Sequence, residues 1–99
     1  MSESATLQVV DEPDKHRFVV HKDGHEAELV YRVEPERLVL VHTGVPDELG
    51  GHGIGGLLVR AGIERALEQA RVVVPQCSFA RKWLQDHPDV ANQVTIDWG

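Results

Sequence analysis

Two features of this chain could do chemistry: a run of small residues and a single thiol. Five of the seven residues from Gly50 to Gly56 are glycine. Glycine lets backbone N–H groups approach a ligand without interference from a Cβ, and it reaches positive φ freely. Where such a run opens a helix, its amides meet the positive end of the helix dipole, which favours an anion such as phosphate. The competing reading is a turn that needs glycine for its shape alone. Two familiar phosphate-binding patterns do not fit. No Gly-Lys-Ser/Thr closes the run as in a P-loop, and no ribose-binding acid follows a G-x-G-x-x-G in a parallel βαβ context. A pyrophosphate cradle of another type remains open.

Cys77 is the only cysteine. A lone cysteine commonly packs as a small hydrophobe. This one follows the β-branched segment Arg71-Val72-Val73-Val74-Pro75 and stands where a helical pattern begins, a position at which a helix dipole favours thiol reactivity. Ser78 places a hydroxyl beside it. Both the packing and the reactive reading stand. Of the histidines, His42 ends an apolar segment and is the best placed to act as a base, with His87 second; a packing or capping role is the alternative for each. His16, His21, His25, His42, His52 and His87 show no tight spacing such as H-E-x-x-H, although His21 and His25 flank a turn and could face each other. No metal centre is expected.

The chain has 99 residues, enough for one small domain, with 41% hydrophobic and 26% charged residues, ordinary for a soluble globule. Lys and Arg total 10 against 16 Asp and Glu, a formal net charge of -6. An acidic chain with no basic cluster argues against a nucleic-acid partner, because neutralising phosphates supplies much of the affinity of such modules. No apolar run is long enough for a membrane span, and the first residues lack the positive region of a secretory signal. One cysteine forms no internal disulfide, so a reducing compartment, the cytoplasm, is the expectation. The size suits a monomer.

The elements that must position these residues follow from periodicity. Leu7, Val9 and Val10 make a short apolar patch, ended by turn chemistry at Asp11-Glu12-Pro13-Asp14. Arg17-Phe18-Val19-Val20 reads as a strand, and Asp23-Gly24 is the pair typical of a tight hairpin. Ala27, Leu29, Tyr31 and Val33 alternate with Glu26, Glu28, Arg32 and Glu34, the period of a half-exposed antiparallel strand, with Val30 as the exception. The nearly continuous apolar run from Leu38 through Val41 to His42 and Thr43 predicts a strand covered on both faces. A helix is predicted over residues 54–70, with Ile54, Leu57, Leu58, Ala61, Ala66, Leu67 and Ala70 as its apolar stripe. A short strand over residues 71–75 follows. A second helix starts near Cys77-Ser78, with Phe79, Ala80, Trp83 and Leu84 at helical spacing, and stops before His87-Pro88. Arg81 and Lys82 read as a solvated helix face. The tail reads as a helical turn or a last short strand, with Trp98 available to pin it. The class is α+β: a mostly antiparallel sheet with a long helix after a glycine-rich loop and a short C-terminal helix. The strand-loop-helix-strand unit puts the helix start and two strand ends on one edge of the sheet.

The segment from Val45 to Val59, VPDELGGHGIGGLLV, resembles the acetyl-CoA loop of the GNAT-type N-acetyltransferases, whose motif R/Q-x-x-G-x-G/A lies between a strand and a helix. Gly53 and Gly55 match the last two positions, and Gly50 stands where Arg or Gln is usual. With His42-Thr43-Gly44-Val45-Pro46 ahead of the loop, and Pro75-Gln76-Cys77-Ser78-Phe79 and His87-Pro88 behind it, the chain is similar from His16 to Asp89 to a compact, YidJ-like branch of minimal acetyltransferase domains. The resemblance implies acetyl-CoA (or CoA) as cofactor. Its pantetheine arm would lie between the parted strand ends, against the main chain of His42, Thr43 and Val45. Its pyrophosphate would rest on the amides of Gly50, Gly51, His52, Gly53, Ile54, Gly55 and Gly56, and its thioester would point toward Cys77. The implied reaction is acetyl transfer to an amine, a protein lysine or a small amine. Either Cys77 takes the acetyl group and passes it on, or the amine attacks directly while Cys77 or Ser78 protonates the departing thiolate and His42 serves as base. Many relatives use a tyrosine as that acid, and Tyr31, the only tyrosine, lies on an early strand. Larger relatives place helices where residues 10–17 leave room only for a turn, so the acceptor site must be open, supplied by a partner, or absent. The reading from another class is a CoA-binding or protein-interaction module without catalysis.

Overall fold

A computed structural model describes residues 7–51 and 53–99. The sheet has five strands in the order β1 (Val10–Glu12), β2 (Arg17–Lys22), β3 (His25–Val33), β4 (Arg37–Gly44) and β5 (Val72–Pro75). The first four form an antiparallel meander, and β5 runs parallel to β4. The crossover between them is α1 (Ile54–Gln69), as a parallel pair requires. Two further helices, α2 (Ser78–Asp86) and the short α3 (Pro88–Ala91), follow β5. The expected α+β class, with its long helix after the glycine loop, is the one observed.

Local chemistry sets the turns. Asp23 and Gly24 both take positive φ, 54° and 80°, and join β2 to β3 with Lys22 opposite His25. That is the backbone twist a two-residue hairpin needs. His21 therefore faces Glu26 and not His25, and no histidine pair forms there. The turn expected at Asp11-Glu12 begins later. Asp11 and Glu12 pair with Phe18 and Arg17 in β1, and a single 3-10 turn over Pro13–Lys15 makes the connection. Proline fixes φ at that turn, while the acidic pair is held in the sheet by partners: Asp11 accepts from Tyr31 and Arg65, Glu12 from Arg17.

One core lies between the sheet and the helices. Phe18, Val20, Leu29, Leu38 and Leu40 point to it from the strands, Leu58 and Ile63 from α1, and Ala80 and Leu84 from α2. Val19 and Val39 are as deeply buried but stand outside that cluster, on the sheet face turned away from the helices. The two-sided cover expected for the fourth strand thus holds for Leu38, Val39 and Leu40 and ends before His42, which is exposed. Three apolar assignments fail at the margins: Val33 and Leu67 are 49% and 46% exposed, and Ala70, the left-handed residue that ends α1, is exposed as well. The tail combines both expected forms. It makes α3 and then a bridge in which Ile96 lies beside Val73, parallel to β5. Arg81, read from sequence as a solvated face, donates to the carbonyl of Trp98 and ties that tail down.

Candidate functional site

The site begins where β4 and β5 part. They pair only from Arg37–Val72 to Leu40–Pro75. The Leu40 carbonyl then accepts from the amides of both Gln76 and Cys77, each at 3.0 Å. Beyond it β4 continues to Gly44 paired with β3 alone. The two strand ends expected to separate therefore do so, and beyond Leu40 a gap in the backbone ladder opens that only side chains span.

A bulge decides which side chains face that gap. Tyr31 pairs with Leu40 and Val30 with His42, so Val41 is an extra residue in β4. A bulge resets the alternation of side chains along its strand. Thr43, opposite Leu29, consequently points to the helix side, and its Oγ1 lies 3.2 Å from Cys77 Sγ. His42, opposite Val30, points to the other face, where a Cβ placed on Gly44 would sit 3.4 Å from His42 Nε2 and 3.9 Å from Glu28 Cγ. The structure brings Thr43 and Cys77 together and keeps the His42 ring away from the thiol.

Cys77 is the N-cap residue of α2, 7% exposed, with Ser78 exposed as the first helical residue. His87 closes the other end of α2: its ring stacks on Trp83 at 3.9 Å, and its Nδ1 lies 2.7 Å from the Trp83 carbonyl. That is the capping role, far along the helix from Cys77. Tyr31 donates to Asp11 Oδ1 at 2.5 Å, so its hydroxyl is engaged away from the gap. Burial is the main cause that holds this phenol above its ordinary range, and the Asp11 hydrogen bond and charge add to it.

Past β4, Val45 and Pro46 lead through a 3-10 turn at Asp47–Leu49 into the glycine loop. Gly51 and Gly53 have φ of 81° and 71°, values that only glycine adopts without strain. Gly53 is the N-cap of the 16-residue α1, and among the described residues no side chain caps its first amides. A helix leaves its first four N–H groups without intrahelical partners, so these donors face outward from the loop. The loop lines a cavity of about 390 Å³ together with Val45, Pro46, Asp47, Phe79 and Trp83. His52 lies outside the described residues, so its expected contribution has no structural account.

Two of the loop glycines answer a different need. A Cβ on Gly55 would lie 2.5 Å from Phe79 Cζ, and one on Gly56 would lie 2.7 Å from Trp83 Nε1. Both glycines let α2 lay its aromatic rings on the start of α1. Of the four residues at helical spacing in α2, Ala80 and Leu84 are buried in the core and Trp83 packs against it half-buried, while Phe79 is 42% exposed against the cavity. The signal was present in sequence as an i, i+4 aromatic pair and a Gly-Gly pair, but nothing local said that they would meet.

The start of α1, the glycine-lined cavity and the parting of two parallel strands thus lie together at one end of the sheet. Comparisons with known proteins identify the family. Residues 17–94 match the family model described as GCN5-related N-acetyl-transferase. The protein NATD1 of Gallus gallus is 29% identical over 91 residues, covering 89% of this chain and 83% of that protein, and NATD1 of Homo sapiens is 28% identical over 91 residues, covering 89% and 80%. The solution NMR structure of a GCN5-like protein from Staphylococcus aureus, assigned by name to the N-acetyltransferases, superposes with a TM-score of 0.70 at 31% identity, over 92% of this chain and 90% of that one. The chain belongs to the GCN5-related N-acetyltransferase family, whose members transfer acetyl groups.

Proposed function

We propose that the chain binds acetyl-CoA along the gap between β4 and β5 and moves its acetyl group to an amine. The observation that carries this reading is the alignment of three features on one sheet edge: the uncapped start of α1, the parting of the strands after Leu40, and Cys77 beyond it. The residues present fit the cofactor. The amides of the loop from Gly50 to Gly56 would hold the diphosphate, and the main chain of β4 from His42, through Thr43, to Val45 would bond the pantetheine amides. Bound there, acetyl-CoA supplies a thioester carbon open to attack by an amine nitrogen.

The chain's own residues divide the proton work. Among the described residues, Cys77 has the Thr43 hydroxyl for a partner and no imidazole beside it. A nucleophilic cysteine normally has a base to take its proton. The arrangement therefore favours Cys77 as the donor that protonates the departing thiolate, with Ser78 at the same helix start as its neighbour. His42, on the opposite face next to Gly44, would accept the proton of an amine approaching from that side. The connection between β1 and β2 is a three-residue turn, so among the described residues no helix packs over that face beside the exposed His42, and an acceptor, protein lysine or small amine, meets it directly. The same openness favours a second reading, a CoA-binding module that transfers nothing on its own.

Titration with CoA while following backbone amides tests the binding: shifts should concentrate at residues 42–56 and around Cys77, and shifts elsewhere would remove the reading. Intact mass after incubation with acetyl-CoA tests the route, since a stable acetyl group on Cys77 would favour attack by the thiol. Release of free CoA with a panel of amines separates an enzyme from a module.

A further inference from the structure

Phe79 is a large apolar side chain left 42% exposed, and it stands in the wall of the cavity that the glycine loop lines. Its ring tip rests on Gly55, at the first turn of α1, while its backbone is two residues past Cys77. The ring thus lies between the amides that would take a diphosphate and the thiol at the far end of the gap. Nothing polar about the ring suits either end. What runs between those ends in CoA is the pantoyl part, a quaternary carbon bearing two methyl groups.

We infer that Phe79 is the apolar wall for the pantoyl arm, and that Gly55 is a positioning residue that holds the Phe79 ring there. The inference rests on the cofactor reading above and goes beyond it, because it gives the α-carbon of Gly55 a job separate from that of its amide in the cradle. The geometry is specific. A methyl group on Gly55 would lie 2.5 Å from Cζ and 2.8 Å from Cε2 of Phe79. The atoms it meets are the tip of an exposed ring, so the ring swings and the helix stays. Swinging moves the ring relative to the cavity and spoils the wall.

The test is a double-mutant cycle read by ligand affinity, with CoA, pantetheine and the adenosine bisphosphate fragment as three separate probes and the amide spectrum as the check on folding. Phe79→Ala should weaken CoA and pantetheine alike, by about tenfold for a partly buried ring, and leave the adenosine bisphosphate fragment unchanged. Gly55→Ala should follow the same pattern. Placed in the Phe79→Ala background, where the added methyl has room, Gly55→Ala should cost nothing further. Additive losses, or a loss of the adenosine bisphosphate fragment in Gly55→Ala, would show that the added methyl acts on the cradle and not through the ring, and would overturn the positioning role. Wild-type protein that binds CoA while Phe79→Ala binds pantetheine equally well would overturn the wall and spare the cofactor reading. Wild-type protein that binds none of the three probes would overturn both.

Discussion

Thr43 Oγ1 and Cys77 Sγ stand 3.2 Å apart across the mouth of the gap, although 34 residues separate them in the chain. The contact depends on two unrelated features. The bulge at Val41 turns Thr43 toward the helices, and the Leu40 carbonyl holds the Cys77 amide. Thr43→Val keeps the shape and removes the hydroxyl. It should leave CoA affinity within about twofold, since the proposed contacts of β4 with the arm are main-chain, and lower the acetyl-transfer rate by about tenfold, the scale of one hydrogen bond to a reacting group. Parallel binding and turnover measurements check it.

Cys77→Ala should keep the fold, because the thiol fills little space, and should reduce turnover by between about one hundred and ten thousand, the range for loss of a positioned proton donor. Cys77→Ser should recover part of that loss. A rate unchanged in Cys77→Ala would assign the residue to packing.

Asp47 is the acidic side chain lining the glycine-loop cavity. It opposes a diphosphate, so attraction there must come from amides and the helix dipole. Asp47→Asn should tighten CoA about twofold at low salt, and the gain should fade as ionic strength rises and the Debye length shrinks. Calorimetry at two salt concentrations measures this.

Gly56→Ala adds a methyl group that a helix interior would normally welcome by up to about 1 kcal/mol. Here the group would lie 2.7 Å from Trp83 Nε1. Overpacking costs about 1–3 kcal/mol, so the substitution should lower the melting temperature. Trp83 fluorescence should shift as the indole moves from its place beside His87 and Arg60.

Tyr31, Asp11 and Arg65 tie β3, β1 and α1 together. The phenol is held above its ordinary value of 10.0 in the folded chain, first by burial and then by Asp11. The folded state therefore keeps a proton that the unfolded state releases. The stability this provides is complete below the ordinary phenol value and is lost as pH rises beyond it. Melting temperature should fall steeply from about pH 10 upward, and Tyr31→Phe should flatten that fall while costing about 1 kcal/mol at neutral pH.

Much of this arrangement was legible in the letters. Asp23-Gly24 announced its hairpin, the alternation at Ala27, Leu29 and Tyr31 gave the core face of β3, and the glycines followed by Leu57 and Leu58 gave the start of α1. The aim of His42 was not. In a regular strand, position 42 shares the face of Leu38 and Leu40 and would have met the thiol; the bulge at Val41 reverses it. A nearly continuous apolar run carries no alternation from which such an extra residue could be read. Phe79 was hidden for a related reason. Its helical spacing is the same whether the ring meets a core or a cavity, and only the approach of α2 to Gly55 distinguishes them.

The Leu40 carbonyl accepts two amides at once, so both of its lone pairs are taken. The strands cannot zip further or peel back without giving up one of those bonds, which sets a hard stop at the inner end of the wedge. A molecule anchored at the loop thus meets a ruler of fixed length. Arms one methylene shorter or longer than the native one would seat just as firmly by their phosphates and yet deliver their tips to the wrong mark, so analogues of altered reach should compete as inhibitors without serving as donors.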